Sequence, residues 1–395
     1  MSVTTGPSTD VPWALHPFSP FGLMHPERAW ESVRDAGPAW ADPVSGLWML
    51  TGHRLCRAVL TDPSFSAAAG QRQRAREDDL PQNMLTTDGV DHRRLRDPAA
   101  AAFSARSIAR SAVARDAAAD AVAALPVTTS APGVDLVAEF CEPFALAVLA
   151  TTIGIPAAAR ARFGALASAA APNLDPMLRG VAAQRAAVAS RELQDFLAGQ
   201  RAAARERGAR TDLGGLAWDA SLTEAERVAF LALLVIGGLE PLAAIVAATV
   251  LVLSTHRELR HLVATDPGSL PLVVEETLRL HSPIPFTARV CVREFHRGLV
   301  TIPAGTPVLA VIAAANRDPD VYADPASFRL DRPDAAGHLA FGAGAHFCLG
   351  APLVRTATVH AVTALLDRFG SMDPAGPAVW TTGVPRRLCR LPVRW

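Results

Sequence analysis

The stretch FLALLVIGGLEPLAAIVAATVLVL, residues 230–253, constrains this chain more than any other. It is apolar almost without interruption and long enough to cross a bilayer. Yet Glu240 and Pro241 sit side by side at its centre. A carboxylate at mid-depth is costly in lipid, and a proline breaks the ladder of helical hydrogen bonds. The flanks, SLTEAER before and STHRELRH after, carry no one-sided excess of Arg. The stretch therefore reads as a helix buried in a large helical core rather than a membrane span. A carboxylate in such a place needs a polar purpose.

The rest of the chain agrees with a large globular core. Half of its 395 residues are hydrophobic and 19% are charged, which excludes a disordered chain. The formal net charge of +0 speaks against a nucleic-acid binder. All 38 basic residues are Arg, as GC-rich bacterial coding would give. Five scattered cysteines without a CxxC pair argue against a disulfide framework or a structural zinc site. The N-terminus has no basic segment followed by an apolar one, so the chain reads as cytosolic.

Three-to-four spacing of apolar residues predicts helices over 26–36, 91–103, 108–124, 134–153, 182–207, 222–260, 270–280 and about 348–369. Thr223 and Glu226 have the spacing of a capping box. Strand-like pieces are few: 46–52, and several within 287–316 around a PAG turn. The expected fold is mainly α with a small β-rich part, in one domain spanning 1–395.

The segment HLAFGAGAHFCLG places Cys348 in a glycine-permitted loop just before a helix. Orphan N–H groups and the helix dipole favour a thiolate there. Phe341, Gly344, Cys348 and Gly350 fill the haem-ligand signature of the cytochrome P-450 superfamily, which this chain resembles along essentially its whole length, most closely in the soluble bacterial branch. Other segments fit the same family in the right order. EETLRL resembles its structural Glu-x-x-Arg pair, Glu276 and Arg279, and FRLDRP supplies Arg332 as the completing residue. DHRRLR puts His92 and Arg96 where helix residues bind haem propionates, and Arg289 and His346 resemble the remaining propionate partners. The resemblance implies haem b with Cys348 as axial iron ligand, and Phe341, Gly342 and Gly350 shaping the loop around it. A Cys thiolate pushes electron density onto haem iron and favours O–O cleavage.

The family also accounts for residues 230–253. Its central helix crosses the oxygen-binding side of the haem with the pattern Ala/Gly-Gly-x-Asp/Glu-Thr. Here Gly237, Gly238, Leu239, Glu240 and Pro241 stand on that pattern. Glu240 takes the acid position, and Gly238 is expected to make room for dioxygen. Pro241 replaces the threonine whose hydroxyl helps deliver protons, and proline offers neither hydroxyl nor N–H. Relatives without this threonine often carry out atypical oxidations. Oxidative coupling of an indole or phenol, such as an aromatic cyclic dipeptide, is therefore favoured slightly over ordinary hydroxylation or epoxidation. A silent haem carrier and a peroxide-driven enzyme are further rivals.

By the same resemblance, Met84, Leu85, Leu234, Gly237, Ile284, Pro285, Phe286 and Val384 are expected to contact substrate. The loop 66–85 and the region 163–179 are expected to cover the pocket. The chain has no fused reductase signature, so electrons are expected from a separate ferredoxin and ferredoxin reductase. Arg93, Arg94 and Arg355 are candidates for the docking face, and a monomer is expected.

Overall fold

The computed structural model describes residues 11–72, 83–129, 133–175, 177–206, 222–333 and 337–395. They form two compact units whose chain segments interleave. The first takes in residues 11–72, Leu85–Asp88 and Leu278–Cys348; the second is built chiefly from Gly89–Thr277 and Leu349–Trp395. Interleaving of this kind leaves no linker in the sequence.

The second unit is helical. Its centre is the helix Glu224–Thr255, which begins with the expected capping box: Glu226 N–H donates to Thr223 Oγ1, and Thr223 N–H donates back to the Glu226 carboxylate. Among the described residues, two helical stretches, this one and Gly344–Phe369, which takes in the helix Ala351–Phe369, are long and apolar enough to cross a membrane. In the central helix 67% of the most apolar window is buried within the protein. Its neighbours are the helices Glu142–Thr152, Arg160–Ala170, Gly180–Glu206 and Ala351–Phe369. Val235, Ile245, Val246 and Val250 are each 0% exposed, which is what an all-round apolar surface requires.

Three elements differ from their expected bounds. The helix expected over 222–260 stops at Thr255, turns at the extended His256, and restarts as Arg257–Thr265. The segment 108–124 is divided into Ala105–Arg110 and Val113–Ala124 by an extended Ser111. The segment 134–153 opens with a strand, Val134–Asp135, because the C-terminal strand Pro392–Arg394 pairs with it antiparallel. A π-helical turn, Val137–Cys141, then leads into Glu142–Thr152.

The first unit holds the β-rich part. Its five-stranded sheet has the order Ala39–Ala41, Trp48–Leu50, Pro307–Ala310, Thr287–Cys291, Phe65–Ser66. Only the Trp48–Leu50 and Pro307–Ala310 pair is parallel. Leu50, Cys56, Ile302, Val308, Ala310 and Ala315, all 0% exposed, form a core beneath the helix His53–Thr61.

A candidate haem-thiolate active site

The loop 341–348 is shaped by two glycines in left-handed backbone, Gly342 at φ +70° and Gly344 at φ +72°. Gly344 also lies so close to the helix His53–Thr61 that a Cβ would stand 2.5 Å from Leu60 O. The Cys348 N–H donates to Phe341 O at 2.9 Å and closes the loop. Phe341 is buried, edge-on to Phe347 at 6.2 Å. Gly350 then caps the helix Ala351–Phe369, which carries Pro352 in its first turn.

Cys348 is half-buried, whereas Cys56, Cys141 and Cys291 are fully buried. Burial pushes the thiols of those three upward, away from the thiolate form. The remaining cysteine, Cys389, is exposed near the C-terminus.

The expected propionate partners are two arginines and two histidines in partly or fully buried settings. Arg289 is 6% exposed, and burial brings its guanidinium down to about 10, against a smaller opposing pull from Asp88. It donates to Thr287 Oγ1 at 3.1 Å and Ala288 O at 2.7 Å, both uncharged. Among the described residues no carboxylate lies within ion-pair distance of it, so an incoming carboxylate would offset its lost hydration. His346 Nε2 lies 3.0 Å from Asp88 Oδ1, a residue that no motif marks. Asp88 also accepts from the Ser66 hydroxyl at 2.6 Å and from Ala68 N–H at 3.1 Å. Burial would raise its pKa, yet these bonds, that of His346 first, hold it below the usual carboxylate range. On the helix Gly89–Ala100, His92 is buried and Arg96 half-buried, one turn apart. Within the first unit, the glycine-shaped loop, the half-buried Cys348 and the buried Arg289 suit a haem with a carboxylate side chain.

On the central helix Pro241 has no N–H, so the bond that residue 241 would donate to Gly237 O cannot form. A Cβ on Gly237 would meet nothing within 4 Å, whereas one on Gly238 would meet Leu149 Cδ2 at 3.2 Å. The open side of this turn is therefore at Gly237, and Gly238, expected to give the room, packs on Leu149. The Glu240 side chain is 16% exposed, with Arg387 Nε 3.5 Å from its Oε2. Burial raises its pKa, Arg387 opposes that, and Glu142 adds to it. Arg387 and Glu142 escaped the sequence reading because neither stands in a recognisable motif.

The structural residues are strongly held. Glu276 and Arg279 are each 0% exposed. Arg279 donates to Asn316 O, Pro325 O and Ser327 O at 2.8, 2.7 and 3.1 Å. Its guanidinium stands 5.0 Å from the centre of the Tyr322 ring. Arg332 donates to Ala323 O, Asp324 O and Ser327 O, so both arginines brace the same irregular loop.

Among the expected substrate contacts, Met84, Leu85, Leu234 and Ile284 are half-buried and Val384 is buried. Pro285 O accepts from Ala313 N–H. Phe286 packs edge-on against Phe18 at 5.8 Å and Trp30 at 6.3 Å, in an aromatic cluster of the first unit. Residues 73–82 of the expected covering loop, and residue 176 of the 163–179 region, lie outside the described residues. Of the expected docking arginines, Arg94 is paired with Glu226 at 2.6 Å and Arg355 with Glu275 at 2.5 Å, while Arg93 is exposed.

Comparison with known proteins agrees with this geometry. The family profile for cytochrome P-450 matches residues 268–377. The chain is 30% identical to 6-deoxyerythronolide B hydroxylase of Saccharopolyspora erythraea, over 93% of this chain and 95% of that one. It superposes on the cytochrome P-450 BioI, solved in complex with an acyl carrier protein ligated to hexadec-9Z-enoic acid, with a TM-score of 0.86. That match has 28% identity and covers 95% of this chain and 99% of the other. It also superposes on CxnD, an enzyme for C–S bond formation in chuangxinmycin biosynthesis. There the TM-score is 0.81 with 28% identity, covering 93% of both chains. With its cysteine loop, buried cations and central acidic helix, this chain belongs to the cytochrome P-450 family of oxidoreductases, whose haem is ligated here by the thiolate of Cys348.

Proposed function

We propose that this enzyme couples an aromatic natural product oxidatively, acting on an indole or phenol such as an aromatic cyclic dipeptide. The single observation behind this reading is Pro241. A bound thiolate-ligated haem supplies oxidising power, and the chain's own residues decide how protons and substrate reach it. Without a hydroxyl at 241, Glu240 is the ionisable side chain left in that turn. Burial raises its pKa, the direction in which a proton carrier is tuned. The carbonyl of Gly237 loses the donor that a residue other than proline would supply at 241, and a Cβ at Gly237 would stand in open space.

In coupling, two hydrogens leave the substrate and a C–C or C–N bond forms. Two electrons from a separate ferredoxin and its reductase, with two solvent protons, complete the reduction of dioxygen to two waters. Such a reaction makes less demand on a dedicated hydroxyl than oxygen insertion does. Among proteins of this fold, one relative is a hydroxylase and another serves C–S bond formation. The alternative product is a hydroxylated or epoxidised one, from the same cytoplasmic, monomeric enzyme.

The variant Pro241→Thr tests the reading. Restoring the hydroxyl should move the product ratio from coupled toward oxygenated species by roughly tenfold, a modest share of what a positioned proton-transfer group contributes. An unchanged ratio, or a wild type that yields only oxygenated product, contradicts it.

A further inference from the structure

Asp88 joins two segments of the first unit that lie far apart in the sequence. Its Oδ2 accepts from the Ser66 hydroxyl at 2.6 Å and from Ala68 N–H at 3.1 Å. Its Oδ1 accepts from Ala67 N–H at 3.3 Å and stands 3.0 Å from His346 Nε2. A carboxylate only accepts, so the imidazole donates through Nε2. Ser66 Oγ in turn accepts from Ala69 N–H at 2.8 Å. One side chain thus caps the helix Ala67–Arg72 and grips His346, which lies in the same loop as Cys348.

That helix depends on its cap. It has 6 residues, too few to stand as an isolated helix in water. The N–H groups of Ala67, Ala68 and Ala69 would be orphans without Ser66 and Asp88. Ser66 is a cap of the usual local kind, whereas the carboxylate comes from well down the chain. Ala67 and Ala68 are buried, and the helix packs on the strand Thr287–Cys291. Ser66 pairs there with Val290, next in sequence to the buried Arg289. Asp88 also acts on Arg289 through its charge.

We propose that Asp88 is a positioning residue that couples the cysteine loop to the helix Ala67–Arg72, so that each is held in place by the other. Coupling of this kind is reciprocal. A haem site that fixes His346 steadies the helix, and a sound cap steadies the loop that holds the haem. No proton or electron moves. The helix lies in the segment 66–85, which is expected over the pocket, so a loaded haem site prepares the start of that wall. This consequence rests on that expectation; the coupling itself rests on the four bonds at Asp88.

Ser66→Ala removes one donor to Asp88 and leaves His346 and the cysteine loop unaltered. In the haem-loaded enzyme, hydrogen exchange at Gly342, Phe347 and Cys348 reads the loop, because their N–H groups donate to Leu339 O, Gly344 O and Phe341 O. Transfer of haem to apomyoglobin reads its retention. Both rates should rise roughly tenfold in Ser66→Ala, the scale of losing one helix cap, and return to wild type in Ser66→Thr. Asp88→Asn should raise them at least as much. Adding Ser66→Ala to it should change little more, because the two act through one link. If Asp88→Asn fails to load haem, Ser66→Ala and Ser66→Thr still decide. Asp42→Asn weakens the same unit elsewhere and should move neither rate. The coupling is overturned if Ser66→Ala speeds exchange only at Ala67, Ala68 and Ala69. Equal effects from Asp42→Asn, or effects of Ser66→Ala and Asp88→Asn that multiply in full, overturn it as well.

Discussion

Gly342 and Gly344 stand two residues apart with nearly the same left-handed backbone, at φ +70° and +72°. Replacing either with Ala incurs the left-handed penalty of about 1–2 kcal/mol. Their surroundings differ. A Cβ at 342 meets only His346 O, at 3.9 Å, an ordinary contact. One at 344 stands 2.5 Å from Leu60 O and 3.0 Å from Thr61 Cα, both backbone atoms of a packed helix. Relief requires the cysteine loop to move off the helix His53–Thr61, since backbone atoms cannot rotate away. Gly342→Ala should therefore cost about 1–2 kcal/mol. Gly344→Ala should cost about 3 kcal/mol or more, the range of overpacking added to backbone strain. Urea unfolding of the two haem-loaded variants measures stability, and haem absorbance per protein measures loading. Gly344→Ala should lose both, and Gly342→Ala should keep most of its haem. Equal stability of the two variants would refute the close approach of the loop to Leu60.

Other outcomes follow from the same contacts. Arg279→Met strips three carbonyls of their charged donor in a fully buried site, which costs about 3–5 kcal/mol and should leave little soluble folded protein on expression. Arg332→Ala removes a less buried brace of the same loop and should cost about 1–2 kcal/mol, read from its urea midpoint. Asp42, 2% exposed, is raised by burial but brought down to about 2 by His16 beside it, by Ser45 and by the N–H groups of Val44 and Ser45. A lowered carboxylate stabilises the fold above its unfolded pKa of about 4 and loses that contribution as pH falls toward its folded value. Asp42→Asn should cost about 2–3 kcal/mol at pH 7 and almost nothing near pH 2, as about two units at ~1.4 kcal/mol each require. Equal losses at both pH values in urea titrations would contradict that sign.

The parts of this protein legible in its sequence are those where chemistry restricts residue type locally. A cysteine between glycines, with a helix immediately after it, has few other uses, and the structure has Gly344 where no side chain fits. Glu240 in an apolar helix was conspicuous because a lone buried carboxylate is expensive. The capping box at Thr223 and the helix Leu270–Leu280 came out at their expected positions because caps and periodicity are local signals. Partners far along the chain were not legible. Asp88 meets His346 across 258 positions and Glu142 meets Arg387 across 245, and nothing nearby marks any of the four for its partner. Phe286, expected after the Glu-x-x-Arg helix to contact substrate, packs edge-on against Phe18 and Trp30, neighbours that nothing local in the sequence marks. The segment after residue 133 has helical periodicity, yet a strand from the far C-terminus recruits its first two residues. In each case tertiary pairing overrides a local preference.

Coupling and oxygenation differ in where dioxygen's atoms go. Turnover under isotopically heavy dioxygen, with surrogate ferredoxin and reductase and tryptophan-containing cyclic dipeptides among the aromatic substrates offered, settles it by mass. The expected product has lost two hydrogens, alone or joined to a second molecule, and carries no heavy oxygen. A product that gains one heavy oxygen would contradict the coupling reading and make Pro241 a tolerated substitution in a hydroxylase.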